Sequence, residues 1–409
     1  MEIRREYNNI MATDWESPVV STADMRHGKN KGGSSYKRRE RREEWLMHRM
    51  MHRISDTSAG SRSASQRVSS GSSGKGGEER LTEAEAAADA TSANATTADN
   101  SPEKIRELFR EVNTKFYERY TRIDNSDDFF MSMYKPIRSS IRVNTLKADL
   151  EDVVARLRED FHLESVPWCE EGFFINTESF GSIPEHRLGV IFTQESASMI
   201  PPVLMELSPK MNVLDIAAAP GAKTTQIAQY MCNDGCIIAN DVKMKRLNIL
   251  ISNLQRCGVL IAHVTMKDGR FFGKFEERFD AVLVDVPCSN VGMIRKNFKY
   301  LKYWRASEIK RLSKLQKGLI LAGYKALKEG GVLVYSTCTL DPVENEGVVD
   351  FLIRETEAEI ENIKLPVNRH PPFLEFDGVS FNEDLRKCLR IHPQDNDTEG
   401  FFVAKIRKP

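Results

Sequence analysis

No charge of one sign dominates this chain: 59 lysines and arginines face 59 aspartates and glutamates over 409 residues. Net charge therefore names no partner, and electrostatic recognition has to come from where the charges lie. A disulfide framework is missing as well. The seven cysteines are odd in number and irregularly spaced. No CxxC pairs with a second CxxC, so zinc-ligand spacing is absent and no metal is expected. No apolar run approaches the roughly 18 residues that span a bilayer. The opening "MEIRREYNNIMATDWESPVV" has no apolar segment of the kind a secretory leader carries, and Glu2, Glu6, Asp14 and Glu16 are unlike a transit peptide. These absences lead us to expect a soluble intracellular protein in a reducing compartment, with free thiols and no membrane partner.

What is present changes along the chain. "DTSAGSRSASQRVSSGSSGKGGEE" is rich in serine and glycine, and "LTEAEAAADATSANATTADNS" in alanine, threonine and acids. Neither stretch offers the apolar surface that offsets chain entropy, so residues 1–100 read as a disordered, partly basic tail. Within it, Lys37 to Arg42 is either a nuclear-import or nucleic-acid patch or a solvated charge run. Order is expected from "SPEKIRELF", with Ser101 as N-cap and Pro102 at the first helical position. A strand near Ile141 to Asn144, a helix from Ala148 to Arg158 and a strand pair in "VPWCEEGFFIN" add a small α+β unit. Residues 101–205 are thus read as a helical and α+β extension.

From Met211 onward five apolar runs, "NVLDIAAA", "GCIIANDV", "AHVTMKD", "FDAVLVDV" and "GGVLVYST", alternate with helical patterns. Near-continuous apolar strands separated by helices imply a parallel sheet covered on both faces. "EGFFVAKI" suits a final edge strand. Residues 206–409 are expected to form a doubly wound, Rossmann-like α/β domain. Ligands of such sheets sit at the carboxyl ends of the strands, where strand order reverses.

The first strand ends in "DIAAAPGAKTTQIAQ", which contains neither GxxxxGK[ST] nor GxGxxG. A turn of small residues lets a ligand approach the backbone, but a lone glycine makes no cradle for a pyrophosphate. Ala217, Ala218, Ala219, Pro220, Gly221, Ala222 and Lys223 form this candidate cofactor turn. Asp241 ends the second strand, at the usual place for an acid that holds ribose hydroxyls. Arg246 follows it in the next helix and joins the set. Asp268 ends the third strand, where a nucleobase edge would lie. Singly, each aspartate has an ordinary reading as a cap or loop residue. In this order they describe a nucleoside without phosphate, which fits S-adenosylmethionine.

Strands four and five run out into "DVPCSNVG" and "YSTCTLDP". If strand order reverses after the first strand, these two are neighbours. Cys288 and Cys338 then project into one cleft beside the cofactor, with Asp285 close by. A lone buried cysteine often only packs; two at matching strand ends favour chemistry.

At these residues the chain resembles the Sun-domain (NSUN or Fmu) family of RNA (cytosine-5) methyltransferases. "AAAPGAKTTQ", "DVPCSNVGMIRKN" and "YSTCTLDPVENE" are similar to that family's cofactor turn, Pro-Cys motif and Thr-Cys motif. "GVIFTQESASMIPP" and "RIHPQDNDTEGFFVAKI" resemble its flanking signatures, so the likeness runs from about residue 103 to the C-terminus. The resemblance implies transfer of a methyl group from S-adenosylmethionine to carbon 5 of cytosine in RNA, through a covalent cysteine–cytosine intermediate. It implies Cys338 as nucleophile, Cys288 as an aid to product release, and Asp285, also at the cofactor, as the residue that holds the cytosine edge. Both cysteines together imply RNA, because DNA cytosine methyltransferases use the Pro-Cys cysteine as nucleophile. Lys223 is expected to add positive charge at the same mouth and help lower a thiol pKa. Two positions depart from the family pattern. Asn290 and Val291 stand where Gly-x is usual, and asparagine is next after glycine in accepting a left-handed backbone. Ala217 stands where many members have cysteine.

After the Pro-Cys motif, Arg295, Lys296, Lys299, Lys302, Arg305, Lys310 and Arg311 interleave with Phe298, Tyr300, Tyr303 and Trp304. Basic groups for phosphates and aromatics for splayed bases are the means of single-stranded RNA binding; the alternative is a solvated basic face over an aromatic core stripe. The α+β unit resembles the family's RRM-like extension and would add Arg138 and Arg142. Among RNAs tRNA is favoured over rRNA, because the short extension has no obvious discriminating module. A monomer is expected, and the basic run favours nucleus or nucleolus over cytoplasm. Two rival readings remain: an RNA-binding scaffold of methyltransferase fold, for instance in ribosome assembly, with dispensable catalysis, and a protein or DNA methyltransferase.

Overall fold

The computed structural model describes residues 101–409; the disorder expected of residues 1–100 and the basic run Lys37–Arg42 lie outside the described residues. Three helices come first: α1 Pro102–Val112, α2 Thr114–Tyr120 and α3 Asp127–Tyr134. Ser101 is the N-cap of α1 and Pro102 its first residue, as the sequence implies. Asn113 and Ser126 cap α2 and α3 by accepting from the amides of Phe116 and Phe129. The apolar faces of these helices pack around the segment after the Pro-Cys motif. Phe109, Phe116, Tyr120, Phe130 and Met133 share one core with Val291, Ile294, Leu301 and Trp304.

The α+β unit follows: β1 Ser140–Val143, α4 Leu150–Arg158, β2 Leu163–Ser165, β3 Gly172–Ile175 and β4 Ile191–Thr193. Asp149 caps α4, its first turn carries Glu151 and Asp152, and its last turn Arg156 and Arg158, charges that suit the helix dipole. The antiparallel order β2-β3-β1-β4 is that of an RRM-like sheet. "VPWCEEGFFIN" supplies one strand rather than a pair. Its partner β2 lies upstream, because Val166 to Gly172 turns on itself, Cys169 N donating to Val166 O (3.1 Å) and Gly172 N to Cys169 O (3.0 Å). One sheet face packs on α4 through Ile141, Val143, Val153 and Leu157. Phe174 of β3 instead joins the core of the main sheet.

That main sheet comprises β5 Asn212–Asp215, β6 Cys236–Asn240, β7 Ala262–Thr265, β8 Phe279–Asp285, β9 Leu327–Thr337, β10 Glu359–Glu361, β11 Leu389–Ile391 and β12 Phe401–Arg407. The order is β10-β12-β9-β8-β5-β6-β7, with β11 also on β12. β5 to β9 are parallel, and strand order reverses between β5 and β8, as expected. β12 is not an edge strand. It runs antiparallel between β9 and β10, hydrogen-bonded to a strand on either side, with Phe401 to Ala404 buried. Helices α5 Ala222–Tyr230, α6 Met244–Arg256, α7 Lys299–Tyr303, α8 Ala306–Ala326 and α9 Glu346–Glu355 complete the domain. Alternate strand residues feed two layers. Val213, Leu283, Val334 and Val403 meet Ile227 and Leu250; Leu214, Val282, Leu333 and Tyr335 meet Ile320, Val348 and Leu352. Each such apolar side chain, fully buried, contributes roughly 1.5–3 kcal/mol. No described helix is long and apolar enough to cross a membrane.

A polar clamp ties the α2–α3 turn to the C-terminal region. His392 Nδ1 lies 2.8 Å from Asp124 Oδ2, and the His370 ring stacks on His392 with centroids 3.8 Å apart. Burial pulls His392 down to about 4, whereas hydrogen bonding to Asp395 raises His370.

Candidate active site

Strand register brings the two cysteines together. Asp285 of β8 is level with Ser336 of β9, so the two strands end side by side. Cys288 and Cys338 follow within three residues, and their sulfurs are 3.3 Å apart. Cys288 is buried and Cys338 half-buried. Both loops are braced. Gly292 N donates to Cys338 O (2.8 Å), and the hydroxyls of Ser289 and Thr339 meet at 2.7 Å. Glu344 Oε2 accepts from Ser289 N (3.1 Å) and Gln316 Nε2 (2.8 Å). Asn290 adopts the left-handed conformation the sequence leads one to expect there (φ 56°, ψ 35°). Its Oδ1 lies 3.6 Å from Cys338 Sγ and 3.8 Å from Cys288 Sγ.

The hydrogen bond with Cys288, burial, and the charges of Glu399 and Asp285 push the Cys338 thiol well up. The acidifying effect expected of Lys223 is outweighed, because its ammonium is held by Asp285 Oδ2 at 2.9 Å and Ser198 Oγ at 2.8 Å. Burial by itself would lower Lys223, yet Asp285, Glu399 and Cys338 keep it above its ordinary value. The other Asp285 oxygen accepts from Ser336 Oγ at 2.7 Å. Asp285 is thus aimed into the mouth by two elements, α5 and β9.

The cofactor turn links β5 to α5. Gly221 caps the helix with φ +107°, and a Cβ there would meet Leu250 Cδ1 at 2.8 Å, so only glycine fits. Ala218 and Ala219 are buried and Ala217 half-buried. Pro220 is exposed; Ala222 and Lys223 open the helix. Asp241 ends β6 with Oδ1 on Lys243 N (2.9 Å) and Oδ2 on Arg246 (3.0 Å); Arg246 also bonds Ala219 O. Asp268, beyond β7, is engaged by Arg270 at 2.6 Å and remains half exposed. The donor set suits S-adenosylmethionine: acids for hydroxyl and amine groups, a small-residue turn for close approach, and no basic cradle for phosphate.

The proposed RNA contacts divide. Lys299, Lys302 and Arg305 are exposed around α7, beside exposed Tyr300 and Tyr303. Arg138 pairs with Glu164 at the edge of the small sheet and lies over Phe174. Lys296 pairs with Glu399 at 3.1 Å. Two residues need correction. Arg142 is 1% exposed and its guanidinium meets Gln194 Oε1 (3.0 Å), Thr225 Oγ1 (2.7 Å), Ala222 O (3.3 Å) and Gln229 Oε1. It locks the small sheet to α5 and is out of reach of RNA. Arg295 is buried too, held by the carbonyls of Lys135, Pro136 and Thr398 and by Asp397. Of the interleaved aromatics, Phe298 packs on Phe109, and Trp304 on Phe116 and Tyr120, so neither offers a face to a base.

Sequence reasoning missed Ser198, Ser336 and Glu344, which aim or brace the site. It also missed Asp215, buried beneath the turn, hydrogen-bonded by Thr224 (2.7 Å) and raised by burial to about 7. Ser198 lies in "TQESASM", whose signal was a flank rather than a contact.

Comparison with known proteins agrees with this geometry. A family model described as "16S rRNA methyltransferase RsmB/F" matches residues 202–407, and one for the "N-terminal domain of 16S rRNA methyltransferase RsmF" matches residues 112–196. The tRNA (cytosine(49)-C(5))-methyltransferase of Pyrococcus abyssi is 55% identical over 307 residues, covering 74% of this chain and 99% of that protein. Ribosomal RNA small subunit methyltransferase F of Photobacterium profundum is 41% identical over 75% of this chain, which spans 63% of that longer relative. A crystal structure of a methyltransferase homologue from Pyrococcus horikoshii aligns with TM-score 0.67 and 35% identity, over 75% of this chain and 99% of that one. NSun6 from the same organism, solved with SFG, shares the fold at TM-score 0.60 and 24% identity, over 74% and 97% of the two chains. A model spanning the catalytic region, and a relative more than half identical along nearly its whole length, settle the membership: the chain belongs to the Sun-domain (NSUN/Fmu, RsmB/F) family of S-adenosylmethionine-dependent RNA (cytosine-5) methyltransferases.

Proposed function

We propose that this chain methylates tRNA at carbon 5 of cytosine, with Cys338 as nucleophile, Cys288 as the release group and Asp285 as the residue that holds the base. The observation that carries this assignment is the 3.3 Å pair of sulfurs at the ends of β8 and β9, beside Asp285. Carbon 5 of cytosine is a poor nucleophile. Loss of the thiol proton lets the Cys338 sulfur add to carbon 6, and the ring electrons then make carbon 5 nucleophilic. Asp285, steadied by Lys223 and Ser336, hydrogen-bonds the cytosine edge and assists that shift. S-adenosylmethionine supplies an electrophilic methyl group when bound, and residues Ala217 to Lys223, Asp241, Arg246 and Asp268 would hold it. After transfer, a base takes the carbon-5 proton, the freed electrons re-form the carbon 5–carbon 6 double bond, and the sulfur–carbon 6 bond breaks, returning its electron pair to Cys338. Cys288 is the neighbouring thiol where that bond breaks.

The target cytosine has to leave its stack to reach the mouth. Lys299, Lys302 and Arg305, with Tyr300 and Tyr303, are the exposed groups suited to the flanking phosphates and bases. Favouring tRNA is the match along 99% of a relative named for tRNA, against 63% of one named for ribosomal RNA. We place the protein in the nucleus or nucleolus on the basic run Lys37 to Arg42. Incubating the full chain and labelled S-adenosylmethionine with total tRNA or small-subunit rRNA, then mapping protected cytosines by bisulfite sequencing, tests the substrate. Label in tRNA is expected; label confined to rRNA overturns the choice, and no label in either favours the scaffold reading.

A further inference from the structure

Helices α8 and α9 pack side by side on one face of the main sheet, and a groove of about 470 Å³ lies between them. Lys310, Lys314 and Lys317 of α8 form one wall. Phe351 of α9 and Val343, from the loop after Cys338, form the other. Spacings of four and three set the lysines on one helix face, spread over about 10 Å at 1.5 Å per residue. Lys310 and Lys314 are exposed; Lys317 is half-buried, its Nζ 5.2 Å from the centroid of the Phe351 ring. No acidic residue lines the groove. Among the described residues none of the three lysines has an ion-pair partner, whereas Arg311 on the same helix is neutralised by Glu308, Nε to Oε2 at 2.9 Å. Three like charges in one groove, without a counter-charge from the protein, make a concave positive surface.

Resting on the reading of tRNA as substrate, we propose that this groove is a second RNA-contact surface, which grips the backbone of a double-helical arm of the substrate while the target cytosine is in the mouth. The groove is continuous with the mouth. Ser313 Oγ donates to Val343 O (2.8 Å), and Gln316 Nε2 donates to Pro287 O (3.0 Å) and to Glu344 Oε2 (2.8 Å). The helix that carries the lysines is thus bolted to both loops that carry the cysteines. Lysine ammonium groups on flexible stems meet phosphate oxygens as point charges. The one aromatic ring of the groove is half-buried with Lys317 over it, so no free face is offered to a base. A surface that takes phosphates and no bases suits a duplex, whose bases are stacked inside and whose backbone is what a protein meets. The mouth, with exposed Tyr300 and Tyr303, suits unstacked bases instead. Joining the two surfaces adds affinity for a folded RNA that a short strand cannot gain.

The test compares two RNAs on the full-length protein: total tRNA and a cytosine-containing single strand of about ten nucleotides, bound from about 50 to 200 mM salt. The triple variant Lys310→Gln, Lys314→Gln, Lys317→Gln replaces lysine with another good helix former on the helix surface, which keeps α8 intact. On tRNA it should weaken binding and reduce the slope of log affinity against log salt by about 2–3, at roughly 0.9 per duplex phosphate. On the short strand it should match wild type. A control triple, Lys210→Gln, Lys274→Gln, Lys325→Gln, removes the same charge from exposed positions that precede β5, β8 and β9, at the sheet end opposite the mouth. It should keep the wild-type slope on both RNAs. An unchanged tRNA slope in the groove variant, an equal loss on the short strand, or an equal loss in the control overturns the proposal. Failure of the substrate reading shows separately, in wild type, as methyl label confined to rRNA.

Discussion

Arg142 offers a sharp test, because sequence and structure assign it opposite duties. As an RNA contact it would be dispensable for folding; as observed, it is a cation sealed between β1 and α5. Arg142→Met keeps much of the volume and removes the charge. Three side-chain acceptors, Gln194, Gln229 and Thr225, lose a charged donor, as does the carbonyl of Ala222. Hydrogen bonds to a charged group are worth about 1.5–3 kcal/mol each. Relief from burying a cation with no carboxylate partner offsets several kcal/mol of that sum. The net loss is about 3 kcal/mol, or about 6 °C of Tm for a domain of this size. The slack should also reach the cofactor turn, since Ala222 opens α5, so affinity for S-adenosylmethionine should fall with stability. Thermal melts with and without cofactor measure both. An unchanged Tm with weakened RNA binding, and a shallower dependence of that binding on salt, would refute the structural role and restore the sequence reading.

Two further outcomes follow from particular groups. Replacing exposed Lys299, Lys302 and Arg305 by glutamine should leave Tm unchanged and reduce the slope of log RNA affinity against log salt by about 2, at roughly 0.7 per phosphate contact on a single strand; an unchanged slope places the RNA elsewhere. The His392 imidazole is held at about 4, below its unfolded value of about 6.5, so the fold favours the neutral ring. Its contribution is complete above pH 6.5 and is lost as pH falls towards 4, on the order of 3 kcal/mol in total. Asp124 sustains the contact and Arg390 adds to the depression, while His370, raised by Asp395, contributes stability that is present below pH 6.5 and lost as pH rises above it, outside the His392 window. Tm should therefore fall more steeply between pH 6.5 and 4.5 in wild type than in His392→Asn; parallel curves contradict the assignment.

Much of this architecture was legible because its signals are local. Five apolar runs set the parallel sheet, and two motifs at strand ends placed Cys288 and Cys338 in one cleft once β8 and β9 proved adjacent. What was illegible depends on partners far away in sequence. An arginine in a strand reads as exposed, and nothing near Arg142 announces Gln194, Thr225 or Gln229. Arg295 is satisfied by carbonyls from both ends of the described chain. The basic and aromatic segment divided for a similar reason. The sequence leaves these aromatics as either a core stripe or base platforms, and only the three N-terminal helices show that Phe298 and Trp304 are covered. By sequence β12 reads as an edge because no later run looks like a strand, while its partner β10 comes earlier and is three residues long.

The central claim is that Cys338 forms the bond to cytosine and Cys288 helps break it. The direct measurement is a denaturing gel of labelled tRNA incubated with S-adenosylmethionine and either Cys288→Ala or Cys338→Ala, followed by mass spectrometry of any adduct. The account predicts a stable RNA–protein adduct through Cys338 in Cys288→Ala, and neither adduct nor methylation in Cys338→Ala. An adduct carried by Cys288 in Cys338→Ala, or methylation by that variant, would contradict it.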